Sequence, residues 1–355
     1  MRLLVLGGTH FVGRAIVETA LADGIDVTAL NRGLSHIPDA DVPTLIADRT
    51  DPVALRKAIG GMDWDAVIDT WSGAPSVIAA SCQLLARRTG HFGYVSTQSV
   101  YADPMPRGAD ETAPVVSADP DSPDGSDYPA AKRGAELAVQ RIFGAGALLA
   151  RPGLILGPYE NVGRLPWWLR RIERGGRVLA PGDPDSTVRY VDARDLAQWM
   201  LLAARRHLSG PFNVVCRPGS TTMGELLATA VRVTGSDAEL VWAPEDVILD
   251  AGIAPWTELP IWIPRGPDFD AHSSVDVSAA FAAGLTCRPV QETVADTWAW
   301  LNAEGDPRPR PDRPSHGLDP ARERQVLDTL TGGPALSGAP AMGSADGSDV
   351  KAIWR

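Results

Sequence analysis

The chain has 355 residues, room for two domains or for one domain with a large appendage. Its composition, 44% hydrophobic and 22% charged, suits a globular protein with a sizeable core. A net charge of −11 argues against nucleic acid and anionic membranes as partners, and no apolar run reaches membrane-spanning length. From the N-terminus, residues 3–6 (Leu-Leu-Val-Leu) read as a buried strand, too short for a signal segment, and a helix follows over Phe11–Ala22. Further short apolar strands are expected at 27–30, 44–47, 66–68, 94–96 and 147–150, with helices at 76–88 and 129–143. Strands alternating with helices imply a parallel sheet covered on both faces. Beyond Arg151, Pro-Gly punctuation and tryptophans become frequent. An amphipathic helix within 190–206 looks able to return to the sheet. Thr222 and Glu225 form a capping-box start for another helix, 291–302 is a further helix, and 321–329 a short one. The expected organisation is a domain over 1–160 with 187–215 packed back on it, a substrate-binding region over 161–186 and 216–304, and a flexible tail over 305–355.

The first strand runs into Gly7-Gly8-Thr9-His10-Phe11-Val12-Gly13 and directly into a helix. Backbone N–H groups at such a helix start, with the helix dipole behind them, can hold a pyrophosphate. Gly7 permits a tight turn, and Gly13 lets the helix approach the strand. His10 stands where a Gly-x-x-Gly-x-x-Gly spacing has its middle glycine; it either lies against the pyrophosphate or is a structural imidazole. The fold expected is α/β, a doubly wound parallel-sheet Rossmann fold with a smaller C-terminal substrate-binding region. Asn31-Arg32 ends the second strand, where an NAD-preferring domain carries an acid for the ribose 2′-hydroxyl. An arginine there suits a 2′-phosphate, so NADP(H) is preferred, with NAD(H) as the alternative. Asp48, ending the third strand, either contacts the adenine edge or makes a turn.

Tyr128-Pro129-Ala130-Ala131-Lys132 puts Tyr128 at a helix start and Lys132 on the same face. An ammonium close to a phenol favours the phenolate and fits tyrosine for acid–base work on an alcohol or carbonyl. Thr97 ends an apolar strand, at the ligand crevice of an α/β sheet, where its hydroxyl can meet a substrate oxygen. Trp71, after the fourth strand, lies near the expected nicotinamide loop.

Together the glycine turn, Ser96-Thr97-Gln98-Ser99-Val100-Tyr101, Tyr128-x-x-x-Lys132, Arg151-Pro152-Gly153 with Gly157-Pro158, and Tyr190–Ala197 resemble the extended short-chain dehydrogenase/reductase superfamily, the NAD-dependent epimerase/dehydratase group. The resemblance covers about the first 200 residues. It implies Tyr128 as proton donor or acceptor, Lys132 on the nicotinamide ribose, Thr97 orienting the substrate oxygen, and Gly7, Thr9, His10, Phe11, Val12 and Gly13 along the pyrophosphate. Dehydratases of the group carry Asp-Glu where this chain has Gln98-Ser99, which argues against water elimination. The asparagine that sugar-nucleotide epimerases carry after the sixth strand is missing from 151–157, although Arg164, Arg189 and Arg265 could still meet a diphosphate. Trp71, Trp167, Trp168, Trp256 and Trp262 suggest an apolar or aromatic substrate.

The function expected is an NADP(H)-dependent oxidoreductase acting on a small metabolite. A nucleotide-sugar epimerase with tightly bound NAD is the alternative, and a non-catalytic NAD(P)- or RNA-binding role a third. The three dispersed cysteines, Cys82, Cys216 and Cys287, form no ligand set, so no metal, reduced thiols and a cytoplasmic location are expected. The oligomeric state is not readable from the sequence, although dimers, and so a homodimer, are common in families of this type.

Overall fold

A computed structural model describes residues 1–34, 41–308 and 315–330. In chain order the elements are β1 (Arg2–Leu6), α1 (Phe11–Ala22), β2 (Asp26–Asn31), β3 (Thr44–Ile46), α2 (Pro52–Ile59), β4 (Trp64–Asp69), α3 (Pro75–Leu85), β5 (Thr89–Val95), α4 (Tyr128–Phe143), β6 (Leu148–Pro152), β7 (Leu154–Leu156), α5 (Arg164–Glu173), β8 (Arg177–Pro181), β9 (Tyr190–Asp192), α6 (Ala193–Arg205), β10 (Gly210–Val214), α7 (Met223–Thr234), β11 (Glu239–Ala243), α8 (Glu245–Asp250), α9 (Pro267–Ser274), α10 (Ser278–Ala282), α11 (Val290–Glu304) and α12 (Pro320–Leu330). Of the tail expected to be flexible, 309–314 and 331–355 lie outside the described residues.

The chain forms two units. The first combines Met1–Ile155, Tyr190–Cys216 and Ser274–Cys287. The second combines Leu156–Arg189, Arg217–Ser273 and the described residues from Arg288 on.

The first unit is built on a seven-stranded sheet of order β10-β6-β5-β4-β1-β2-β3, parallel throughout. It is a doubly wound Rossmann-type sheet, and β1 shows why. Successive side chains of a strand point to opposite faces. Leu3 and Val5 join one apolar cluster with α1 and α6, whereas Leu4 and Leu6 join another with α2, α3 and α4. All four are fully buried, which is why this strand reads as an unbroken apolar run. The chain turns from β3 back to β4 on the far side of β1, so strand order reverses between β1 and β4. Ligands of open α/β sheets bind outside the carboxyl ends of strands at such a point.

Boundaries differ from the sequence expectation where packing decides them. β5 begins at Thr89, and Ser96 lies just beyond its end. The polar or small residues of β5 (His91, Gly93) obscure the apolar run, yet both are buried. β10 was not legible as a strand, because Gly-Pro-Phe-Asn-Val has neither period nor composition in its favour; pairing with β6 fixes it.

Beneath β5 and β6 the charged side chains are paired. Glu136 is fully buried and accepts from Arg151 Nε and Nη2, both at 2.9 Å, from Ser96 Oγ at 2.7 Å and from Arg133 Nη1 at 2.8 Å. Burial pushes the Glu136 carboxyl up, but the Arg151 pair and the other donors outweigh it and hold it below the usual carboxylate range. That contribution to stability is present above the unfolded value of about 4.3 and is lost as pH falls through the lower folded value. In Arg151→Ala the main counter-ion is gone, leaving a buried carboxylate, and a loss of about 3–5 kcal/mol is expected. Thermal unfolding should also show the variant losing less stability than wild type between pH 7 and pH 5, because protonating Glu136 now relieves the defect. An equal melting temperature at pH 7 would refute the assignment.

In the second unit β8 pairs in parallel with β11. Glu323 of α12 is buried, accepts from Arg171 Nε and from the Leu179 N–H at 3.1 Å, and ties α12 to α5 and β8. Trp168, Trp256 and Trp262 are core of this unit, 0%, 5% and 3% exposed, with Trp168 Nε1 donating to Pro260 O. They pack as core, the reading that the sequence favours for most of its tryptophans there.

Candidate active site

Four strand ends of the first unit, those of β1, β4, β5 and β6, meet at one edge of the sheet. At β1 the Gly7 N–H donates to Leu30 O, and φ of +99° puts Gly7 in the region that favours glycine. A Cβ on Gly13 would lie 1.9 Å from Gly7 O, so the first turn of α1 presses directly on the turn backbone. That turn of α1 carries no acidic residue of its own against its positive dipole end. His10 caps α1 with ordinary extended backbone, φ −132° and ψ 144°, which any residue adopts. The glycine usual at this position is therefore dispensable on backbone grounds, and the exposed imidazole is accommodated. Phe11 begins the helix with φ of +38°, a strained conformation for a residue with a side chain. The cradle of Gly7, Thr9, His10, Phe11, Val12 and Gly13 fits a dinucleotide pyrophosphate.

At the end of β2, Asn31 Oδ1 accepts from the Gly33 N–H at 2.7 Å and Arg32 is exposed. Asp48 accepts from both the hydroxyl and the N–H of Thr50, which hold its carboxyl below the usual range with a smaller contribution from the Arg32 charge. It is a turn-forming carboxylate whose field reaches Arg32.

Thr97 follows β5. Its Oγ1 accepts from the Ser99 N–H at 3.2 Å and donates to Ser99 Oγ at 3.1 Å, starting a short 3₁₀ turn over Gln98–Val100. Tyr128 is the first residue of α4, half-buried, with Asp127 capping the helix through the Ala130 N–H. One turn on, Lys132 is 3% exposed and donates from Nζ to Val95 O at 2.7 Å and to Trp71 O at 2.8 Å. Its ammonium lies 4.8 Å from the centre of the Tyr94 ring. Tyr94, fully buried, donates from Oη to the same Trp71 O at 3.0 Å, and burial drives its phenol well up, with the Asp69 carboxylate adding to the rise. The β4 and β5 ends thus share one lysine. The sequence-derived residues Thr97, Tyr128, Lys132 and Trp71 come together at this edge.

Trp71 contributes its main chain to that arrangement. Its indole N–H donates to Ala74 O, and the Arg49 guanidinium lies 5.1 Å from the ring centre. Arg49, Asp69, Tyr94 and Ser99 were missed in the sequence. Two of them carried a signal: a charge at the end of each of two apolar strands, Arg49 after β3 and Asp69 closing β4, must find a partner once buried. Among the described residues no group of three or more His, Cys, Asp or Glu could hold a metal ion, and no helix is long and apolar enough to cross a membrane.

Comparison with known proteins bears on this arrangement. Residues 3–215 match the model of a family described as NAD dependent epimerase/dehydratase. The chain is 32% identical over 240 residues to a 2-alkyl-3-oxoalkanoate reductase of Stenotrophomonas maltophilia (strain K279a), a match covering 58% of this chain and 66%, just under two thirds, of that one. It is 25% identical over 335 residues to a dTDP-glucose 4,6-dehydratase of Mycolicibacterium smegmatis (strain ATCC 700084 / mc(2)155), covering 83% of this chain and 97% of the relative. In fold it resembles the Bordetella bronchiseptica enzyme WbmH in complex with NAD+, with a TM-score of 0.65 at 18% identity over 86% of this chain and 99% of that one. It also resembles a UDP-glucose 4-epimerase of Thermotoga maritima, with a TM-score of 0.62 at 19% identity over 86% and 100%.

Proposed function

The chain belongs to the NAD-dependent epimerase/dehydratase family, and from that premise we propose that it is an NADP(H)-dependent oxidoreductase acting on the carbonyl or secondary alcohol of a small metabolite. The observation that carries this reading is the Lys132 ammonium held by Val95 O, two residues before Thr97 and one helical turn from Tyr128. The nicotinamide, when bound, supplies or takes up the hydride. In the reducing direction Tyr128 Oη gives its proton to the carbonyl oxygen as the carbon is reduced, and the product is the alcohol. Thr97 Oγ1 orients that oxygen, and Lys132 binds the ribose and favours the phenolate left on Tyr128. A 3-oxo acid heads the substrates to be tried, since a relative bears the name of a 3-oxoalkanoate reductase. NADPH oxidation with a carbonyl panel tests the reading, with Tyr128→Phe as the control; equal turnover by both proteins would sink it.

Nucleotide-sugar epimerisation is less well supported. Residues 151–157 lack the asparagine that sugar-nucleotide epimerases carry there. Arg189 Nη1 donates to Ser273 O at 2.6 Å, Arg265 Nη2 pairs with Asp183 at 2.7 Å, and Arg164 lies over the Trp256 ring. These guanidinium groups already serve the chain's own groups. Interconversion of UDP-sugars without net NADPH consumption would reverse the ranking.

The NADP(H) preference rests on Arg32, exposed at the end of β2 with no acid beside it on that strand end. A charge-assisted hydrogen bond to a 2′-phosphate contributes about 1.5–3 kcal/mol, so Arg32→Ala should reduce the NADPH-over-NADH affinity ratio about tenfold or more. Fluorescence titration with both cofactors measures it. An unchanged ratio would remove Arg32 from the 2′-phosphate site.

A further inference from the structure

The loop that holds Lys132 is itself clamped from the far side. Asp69, the last residue of β4, is fully buried and accepts the Trp71 N–H on Oδ1 at 2.9 Å. The same carboxylate takes a two-point grip from Arg49, Nη1 to Oδ1 at 2.8 Å and Nη2 to Oδ2 at 2.5 Å. Arg49 Nη2 is braced in turn by Ser81 Oγ of α3 at 3.0 Å, and the guanidinium also lies over the Trp71 ring. Trp71 is therefore gripped at its N–H by Asp69 and at its ring by Arg49. Its carbonyl, on the next peptide unit, accepts from Lys132 Nζ and Tyr94 Oη.

We propose that Asp69, fixed by Arg49, is a positioning residue for Lys132: by holding the Trp71 N–H, and with the Trp71 ring held by Arg49, it fixes the main chain at Trp71 so that the carbonyl of the next peptide unit holds the ammonium one helical turn from Tyr128. The inference rests on the role given above to Lys132. A buried ion pair adds little stability compared with apolar residues of the same volume, so stability alone is a weak reason for one here. A defined main-chain conformation at Trp71 is a stronger one. Lys132 has a flexible four-carbon stem, and its ammonium is placed by what accepts from it. Displacements of about 1 Å in a reacting group can reduce a rate about 100-fold, so the two carbonyls set the accuracy of the site.

A double-mutant cycle between Asp69→Asn and Lys132→Met tests this in the full chain, with circular dichroism confirming the fold. It is read twice, as kcat for NADPH-dependent carbonyl reduction and as the Kd of NADPH by fluorescence titration. Asp69→Asn is expected to lower kcat about tenfold or more and to weaken NADPH in the wild-type background, while changing either by less than about twofold in the Lys132→Met background. A residue that serves only the fold would lower both by the same factor in either background. That result, or no loss in the wild-type background, overturns the proposal. If Asp69→Asn does not fold, Arg49→Lys, which keeps the charge but loses the two-point grip, must show the same non-additivity with a smaller loss. Should Lys132→Met alone leave kcat and Kd unchanged, the role of Lys132 itself falls, and the single variant reports that independently of Asp69.

Discussion

Gly13→Ala is expected to abolish cofactor binding and to destabilise the protein by about 3 kcal/mol or more. The added Cβ would meet Gly7 O at 1.9 Å and Gly7 C at 2.9 Å. Both are backbone atoms of a turn whose N–H is tied to β2, so neither can swing aside as a flexible side chain would. Relief requires α1 to move away from β1, and α1 carries much of one apolar cluster, including the buried Ile16 and Val17. The same movement takes the helix N–H groups away from the pyrophosphate position. Thermal unfolding and NADPH titration together check the expectation. A variant with wild-type stability and affinity would mean that the helix does not approach the turn as described. By contrast His10→Gly should leave the fold unchanged, since the His10 backbone is already ordinary.

Tyr128→Phe should lower kcat by about 10²–10⁴-fold, the usual contribution of a positioned acid–base group, while leaving stability and NADPH affinity nearly unchanged. The ring stays, and Tyr128 is half-buried at the first position of α4. Lys132 keeps both of its carbonyl partners. The loss should therefore fall on kcat and not on KM, as expected when an interaction made only in the transition state is removed. Single-turnover kinetics with saturating NADPH separates the chemical step from binding. A loss confined to KM would move Tyr128 from proton transfer to substrate binding.

These two variants act on features that could be read from residue order. A buried run, a glycine turn and a helix are contiguous, and so are Tyr128 and Lys132, because local spacing carries both. What holds Lys132 in place was illegible, since its partners are main-chain carbonyls at Trp71 and Val95, and a carbonyl has no residue type. Arg49 and Asp69 are 20 positions apart and meet only because β3 and β4 end at the same edge. The tryptophans of the second unit could not be sorted one by one for the opposite reason. Composition gives their number but not their burial, and Trp168, Trp256 and Trp262 turned inward. Asp48 offered two readings, and its hydrogen bonds to Thr50 account for it as a turn residue.

The interleaving of the two units along the chain has a consequence for how the polypeptide can be made and divided. The central sheet closes at β10, whose residues 210–214 are synthesised only after a stretch belonging to the other unit. A nascent chain that has just released β6 therefore carries a sheet with an uncovered edge, lacking also α6, which seals one face with Trp199 and Met200. Neither unit is a contiguous gene fragment. A polypeptide cut short near residue 155 would expose β6 and the α1 face together, so the cofactor domain should be obtained by joining its three segments through short linkers and not by truncation.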